Sequence, residues 1–183
     1  FKVIEHFGVS HTFGIPGDFA LPLYASQAKT SIKGVICTHE PNAVFAADAY
    51  SRQKGLGVVL TTYGAGALNM VNPVAMAFAE QSPLVIISGA PDQESVNKKR
   101  AIHHLVRDYE TQIRIYKEIC IDCLSLQNTE TAVGPIYALF EKALAEQKPV
   151  YLEIPRNLMN MEILEIEPLN QKKRSSVVSN LNS

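Results

Sequence analysis

The sequence predicts an α/β fold: a three-layer, doubly wound, mainly parallel sheet of about six strands with helices on both faces. Three observations carry that expectation. Short β-rich runs alternate with longer segments of helical spacing along most of the 183 residues. Several short runs are continuously apolar, as in Val58-Val59-Leu60 and Leu84-Val85-Ile86-Ile87. Such runs suit strands buried on both faces. Sharp turns follow the strand candidates at Ile15-Pro16-Gly17-Asp18, Tyr63-Gly64-Ala65-Gly66 and Gly89-Ala90-Pro91. These turns fall at the expected carboxyl ends of strands, the edge where open α/β sheets hold ligands.

The chain opens inside a helix-like run, Phe1 to Phe7, with no initial methionine. It therefore reads as a piece of something longer, with a first turn or more missing. Strands are expected at Thr12–Ile15, Gly34–Thr38, Gly57–Thr62, Leu84–Ser88, Glu118–Cys123 and Val150–Ile154. Helices are expected at Asp18–Ala28, Pro41–Lys54, Ala67–Glu80 and Thr129–Glu146. The second carries Phe45, Tyr50 and the alanines at 43, 46, 47 and 49 at helical spacing. After Pro155 the pattern decays into mixed polar sequence. A domain over residues 1–165 and a linker or tail over 166–183 follow from that change.

Composition excludes several classes. With 46% hydrophobic and 19% charged residues, the chain can bury a core and is not disordered over most of its length. Lysine plus arginine number 17 against 18 acids, a net charge of -1. That balance creates no field for nucleic acid or an anionic membrane, so neither is an expected partner. No apolar run approaches the roughly 18 residues of a span, and no stretch resembles a signal peptide. Three cysteines suggest no disulfide framework. A cytoplasmic setting is the expectation.

Five features could carry chemistry. Glu40 ends an apolar strand and begins a helix, in Gly34-Val-Ile-Cys-Thr-His-Glu-Pro41. A carboxylate there can be partly buried and share a proton with a ligand nitrogen. It can equally be a helix-start charge beside Pro41 at the first helical position. Gly64-Ala65-Gly66 follows a strand and lets backbone approach a ligand. The third glycine of a dinucleotide fingerprint is replaced by Asn69, and a simple strand-to-helix turn is the alternative. His103 and His104 are adjacent, hence a poor metal chelate, and could do acid–base work or lie unused on the surface. Asp18 reads as a helix N-cap or as an acidic group at the ligand edge. Cys120 and Cys123, if on one strand, face opposite sides and belong to the core.

Taken in order, these pieces resemble a known family. Gly14-Ile-Pro-Gly-Asp18, Thr38-His-Glu40 with Ala46-Ala-Asp-Ala-Tyr-Ser-Arg52, Thr62-Tyr-Gly-Ala-Gly-Ala-Leu-Asn69 and Ser82-Pro-Leu-Val-Ile-Ile-Ser-Gly-Ala-Pro91 appear in register. His103-His104 and Pro149-Val-Tyr-Leu-Glu-Ile-Pro155 follow. The series is similar to the N-terminal, pyrimidine-binding domain of thiamin-diphosphate-dependent 2-oxo acid decarboxylases, in the phenylpyruvate, indolepyruvate and pyruvate decarboxylase family. The resemblance covers about residues 1–165.

The resemblance implies roles. Glu40 matches the glutamate that hydrogen-bonds N1′ of the cofactor's aminopyrimidine and so activates it. Asp18, His103 and His104 match the acid–base groups placed around substrate and intermediate. Pro16, Tyr63, Gly64 and Asn69 fall in loops that surround the pyrimidine. The implied partners are a 2-oxo acid, the diphosphate-binding domain of another subunit, and further copies in a dimer or tetramer. Mg²⁺ is implied in that separate domain, with no metal held by this segment. Its Gly-Asp-Gly signature is missing here, since Gly17-Asp18 is followed by Phe19. This segment alone is expected to be inactive. One departure is Leu105-Val106-Arg107, where pyruvate decarboxylases carry Thr-Leu-Gly. Alternatives are an acetolactate-synthase-like carboligase domain, against which the histidine pair speaks, and a non-catalytic Rossmann-like nucleotide-binding or dimerisation module.

Overall fold

The computed structural model describes residues 1–161 and 163. Its sheet contains β1 (His11–Gly14), β2 (Lys33–Ile36), β3 (Gly57–Thr61), β4 (Leu84–Ala90), β5 (Asp122–Ser125) and β6 (Val150–Pro155). All pair in parallel, in the order β2-β1-β3-β4-β6-β5. The helices are α1 (Lys2–His6), α2 (Leu21–Gln27), α3 (Glu40–Lys54), α4 (Ala65–Asn69), α5 (Val71–Ala79), α6 (Gln93–Asn97), α7 (Thr111–Ile119) and α8 (Val133–Glu146). This is the three-layer α/β architecture that the alternation predicts.

Strand periodicity builds two cores, one on each face of the sheet. Val58, Leu60, Val85, Ile87, Val150 and Leu152 face one layer, with Ile4 of α1, Leu23 of α2 and Phe140 of α8. Their neighbours Val59, Leu84, Ile86 and Tyr151 face the other, with Val44 of α3, Val74 of α5 and Tyr116 of α7. Burying a side chain of this size contributes roughly 1.5–3 kcal/mol. A one-residue slip of β3 or β4 would exchange the two sets, so the register is strongly specified.

α3 shows how sequence positions an element that matters for the site. Pro41 sits in its first turn, Arg52 and Lys54 in its last, and Gly55 closes it. Its inward stripe is Ala43, Val44, Ala47, Asp48 and Ser51. Small side chains let its backbone lie against β3, where a Cβ on Gly57 would run into the Ala47 carbonyl. Phe45 does not fit beneath the helix and is 43% exposed.

The chain leaves β1 toward β2 on one side and returns past β1 to β3 on the other. The reversal opens a crevice at the carboxyl ends of β1 and β3, the usual ligand position in such sheets. The loops that follow β1 and β3 meet there.

Several boundaries differ from expectation. The fifth strand is Asp122–Ser125, not Glu118–Cys123, because residues 111–119 continue as helix α7. Cys120 therefore ends α7, and Cys123 lies on β5, with its side chain close enough to hydrogen-bond the Cys120 thiol. The two do not face apart. The helix expected over Ala67–Glu80 is two, α4 and α5, joined at Met70. α2 starts at Leu21 rather than Asp18, and α6 and α7 were not expected as helices. The tail over residues 166–183 lies outside the described residues.

The close seat of α3 on β3 gives a stability prediction. Gly57→Ala is expected to cost about 1–3 kcal/mol, as overpacking does. Urea denaturation measures it, and an unchanged midpoint would mean that α3 retreats from the sheet without penalty.

Candidate active site

The loop after β1 lies across the crevice. The Phe19 backbone N–H donates to Thr62 Oγ1 at 3.2 Å, which ties this loop to the residue after β3. Phe19 is buried, with its ring edge-on to Tyr63 at 5.6 Å and tilted against His103 at 5.1 Å. Asp18 projects into solvent, and its Oδ2 lies 3.1 Å from His103 Nε2. The His103 and His104 rings stand nearly perpendicular, 4.6 Å apart. Sequence reasoning singled out these three groups separately, and the structure brings them together. The exposed Asp18–His103 pair contributes only about 0–1 kcal/mol to stability.

Glu40 is the first residue of α3 and is half-buried. Its Oε2 accepts a hydrogen bond from Asn69 Nδ2 of α4 at 2.7 Å. Among the described residues, Oε1 has no hydrogen-bond partner. The space beside it is kept by Gly66: a Cβ there would stand 3.6 Å from Oε1 and 2.7 Å from Thr62 Cγ2. The Glu40 side chain thus has one oxygen fixed and one available.

The turn over residues 64–66 joins the two groups. Gly64 has φ +71°, a conformation that other residues rarely adopt. A side chain on it would also collide with the backbone and Cβ of His104. So Gly64 backs the histidine pair, while Gly66 borders Glu40. His104 and Arg107 are themselves left-handed, at φ 66° and 59°, in the turn-rich stretch before α7. Pro16 is exposed on the Asp18 loop. Tyr63 is only 2% exposed, so its ring supports the site from within rather than lining its surface.

Beneath the turn lies a polar network that sequence reasoning missed. Gln112 Oε1 accepts from the Gly64 N–H at 2.7 Å. Gln112 Nε2 lies within hydrogen-bonding reach of Ser88 Oγ and Glu153 Oε1, both at 3.2 Å, and of the Tyr151 hydroxyl, three acceptors among which its two hydrogens are shared. That hydroxyl in turn donates to Glu153 Oε1 at 2.8 Å. Burial pushes the Glu153 carboxyl above its usual range, against the hydrogen bonds from Tyr151 and Gln112. Burial, and then the Glu153 charge, pushes the Tyr63 phenol up to about 12. A cleft of about 620 Å³ opens on this side, bordered by Tyr63, Tyr109, Lys117 and Glu153. The available signal was the spacing of Gln112, Tyr116 and Cys120, a polar residue on an otherwise inward helical stripe.

Comparison with known proteins gives this geometry a family. Residues 1–112 match the family described as "Thiamine pyrophosphate enzyme, N-terminal TPP binding domain". The chain belongs to that family. It is 44% identical over 164 residues to an indole-3-pyruvate decarboxylase of Azospirillum brasilense, covering 88% of this chain and 30% of that protein. It is 35% identical over 161 residues to a pyruvate decarboxylase of Aspergillus parasiticus, covering 87% of this chain and 28% of that protein. A pyruvate decarboxylase 2 of Arabidopsis thaliana is 34% identical, with 82% and 25% covered. The chain thus spans under a third of the length of these relatives.

The family implies thiamin diphosphate, and the residues present fit its pyrimidine half. An available carboxylate oxygen is the acceptor that a protonated ring nitrogen needs, and Gly66 leaves room beside it. Among the described residues, no three His, Cys, Asp or Glu side chains form a metal-binding group. Nor is any helix among them long and apolar enough to cross a membrane.

The buried carboxyl sets a pH dependence. A raised folded pKa means that the folded state holds the proton more tightly than the unfolded state, where Glu titrates near 4.3. The Glu153 contribution is therefore complete below that value and is lost as pH rises through the raised one. Asp108, held at about 2 mainly by its hydrogen bond from Arg114, titrates below this window. Glu153→Gln is expected to gain stability relative to the parent as pH rises above about 4.3. Denaturation midpoints measured from pH 4 to 8 test this, and a constant difference would count against it.

Proposed function

We propose that this chain is the pyrimidine-binding part of a longer thiamin-diphosphate-dependent, non-oxidative 2-oxo acid decarboxylase, a carboxy-lyase. The observation that carries the reading is the shared turn. One strand-to-helix connection borders both the available oxygen of Glu40 and the Asp18–His103–His104 cluster. The names of the relatives support the reaction class.

Thiamin diphosphate, when bound, supplies the electron sink for loss of CO₂ from the oxo acid. The chain's residues do the rest of the proton work. Glu40 Oε1 holds a proton at the pyrimidine N1′, while Asn69 keeps Oε2 occupied and the carboxylate oriented. Gly64, Gly66 and Pro16 let backbone and ring come close. Asp18, His103 and His104 exchange protons on the substrate side. Decarboxylation replaces a carboxylate by hydrogen, so one proton must be delivered for each CO₂ released, and a carboxyl–imidazole pair at the surface can deliver it from solvent.

The substrate class we favour is an aryl or indolyl 2-oxo acid, on the strength of the relative with the highest identity quoted above. The diphosphate and Mg²⁺ belong, in this reading, to another domain of the longer protein, contributed by another subunit. Exposed apolar residues on this chain, Leu21, Ile36 and Phe45, support assembly into an oligomer. Free cysteines at positions 37, 120 and 123 accord with a cytoplasmic setting.

Two measurements test the proposal. In the longer protein, Glu40→Gln should lower turnover of phenylpyruvate or indolepyruvate by about 10²–10⁴-fold with the circular dichroism unchanged. Full activity in that variant would refute the proton role. The 183-residue chain by itself should release no CO₂ from either acid above background, and robust turnover would show that the site is complete without a second domain.

A further inference from the structure

We infer that Gln112 is the positioning residue for the histidine pair, acting through the backbone N–H of Gly64. The inference deepens the decarboxylase reading and rests on it for its catalytic consequence, though not for its structural one. Gly64 is buried, and its N–H finds its acceptor in a side chain from 48 residues away. The amide that accepts this bond is itself 2% exposed and anchored at its other end. Its nitrogen reaches Ser88 within β4, and Tyr151 and Glu153 on β6. Gln112 thus transfers the position of two central strands to the turn after β3. His104 lies directly against that turn, closely enough to exclude a Cβ from Gly64. His104 packs on His103, and His103 meets Asp18. Among the described residues, no hydrogen bond joins Gln112 to Asp18, His103 or His104, and Gly64 is the residue that touches both Gln112 and His104.

The two ends of the Gln112 amide are separable. Gln112→Met keeps nearly the same volume and removes both ends. Gln112→Glu keeps an oxygen for the Gly64 N–H and removes the donor. If positioning runs through Gly64, Gln112→Met should speed exchange of the Gly64 amide in the 183-residue chain at least about tenfold and shift the His103 and His104 ring signals in NMR spectra. Gln112→Glu should stay closer to the parent on both readouts. A role in packing alone predicts the two variants alike, or Gln112→Glu the worse, because it sets a second carboxyl against Glu153. Unchanged Gly64 exchange in Gln112→Met overturns the inference, and that variant decides alone should Gln112→Glu fail to fold.

In the longer protein, Gln112→Met should lower kcat about tenfold with KM changed less than about twofold, since binding groups stay in place. An unchanged kcat in that variant, beside an active parent, also overturns the inference. Altered Gly64 and histidine signals in the chain, with no turnover of any 2-oxo acid by the unsubstituted longer protein, would uphold positioning and defeat the decarboxylase reading instead.

Discussion

A buried backbone N–H must find an acceptor, and the one on Gly64 cannot find it in a strand or a helix. β3 has ended, α4 has only begun, and the group points inward to a side chain. Leaving such a donor unpaired costs roughly 1–3 kcal/mol, a large share of a domain's net stability. The Gln112 carbonyl oxygen supplies the partner at 2.7 Å. From that one bond much of the site's form follows. The turn can bend sharply, Gly66 can open space beside Glu40, and His104 can settle against Gly64. The network also ties Ser88, Tyr151 and Glu153 into the arrangement, and the Tyr116 ring stacks on Tyr151 at 3.9 Å. Its cost is a buried carboxyl whose ionisation the surroundings resist.

The parts of this fold that were legible in the sequence are those fixed by local chemistry. β3 and β4 are buried on both faces and read as continuous apolar runs. α3 announces itself by Pro41 at its start and Gly55 at its end. Asp18 and Glu40 stood out at expected strand ends, and His103 and His104 stood out as an adjacent pair. What failed was decided at a distance. The run Glu118–Cys123 looks like a strand, yet Tyr116 and Cys120 belong to the inward face of α7, and only docking against β6 and α5 settles the boundary. Gln112 was missed because its partners lie 24 to 48 residues away and the end of its helical stripe was read as a strand. A polar residue in an unassigned stretch signals nothing until the helix that carries it is known.

Glu40 shows how one position serves two purposes. A carboxylate in a first helical turn gains about 0.3–1 kcal/mol from the helix dipole, and that gain requires only that the charge be near. It does not require Asn69 to reach across from α4, nor a glycine opposite the second oxygen. Those two features make sense for a group that must present one defined oxygen to a ligand. The structural and the chemical readings of Glu40 are thus complementary.

The same electrostatics favour, in the proposed reading, the pyrimidine end of a thiamin diphosphate at this edge. The groups gathered at the crevice are two carboxylates, two imidazoles and an amide. Among the described residues, no lysine or arginine is hydrogen-bonded to these groups. A diphosphate brought here would meet the negative charges of Asp18 and Glu40 with no fixed cation to offset them, and carrying it out of water uncompensated is costly. An aminopyrimidine has the opposite needs. It offers a ring nitrogen that binds best as a proton-sharing partner of a carboxylate, and a flat face that tolerates a glycine-lined wall. A cofactor with one end of each kind therefore requires two surfaces of different charge. In the proposed reading this chain supplies the surface that carries the carboxylates, and a second surface brings the cation.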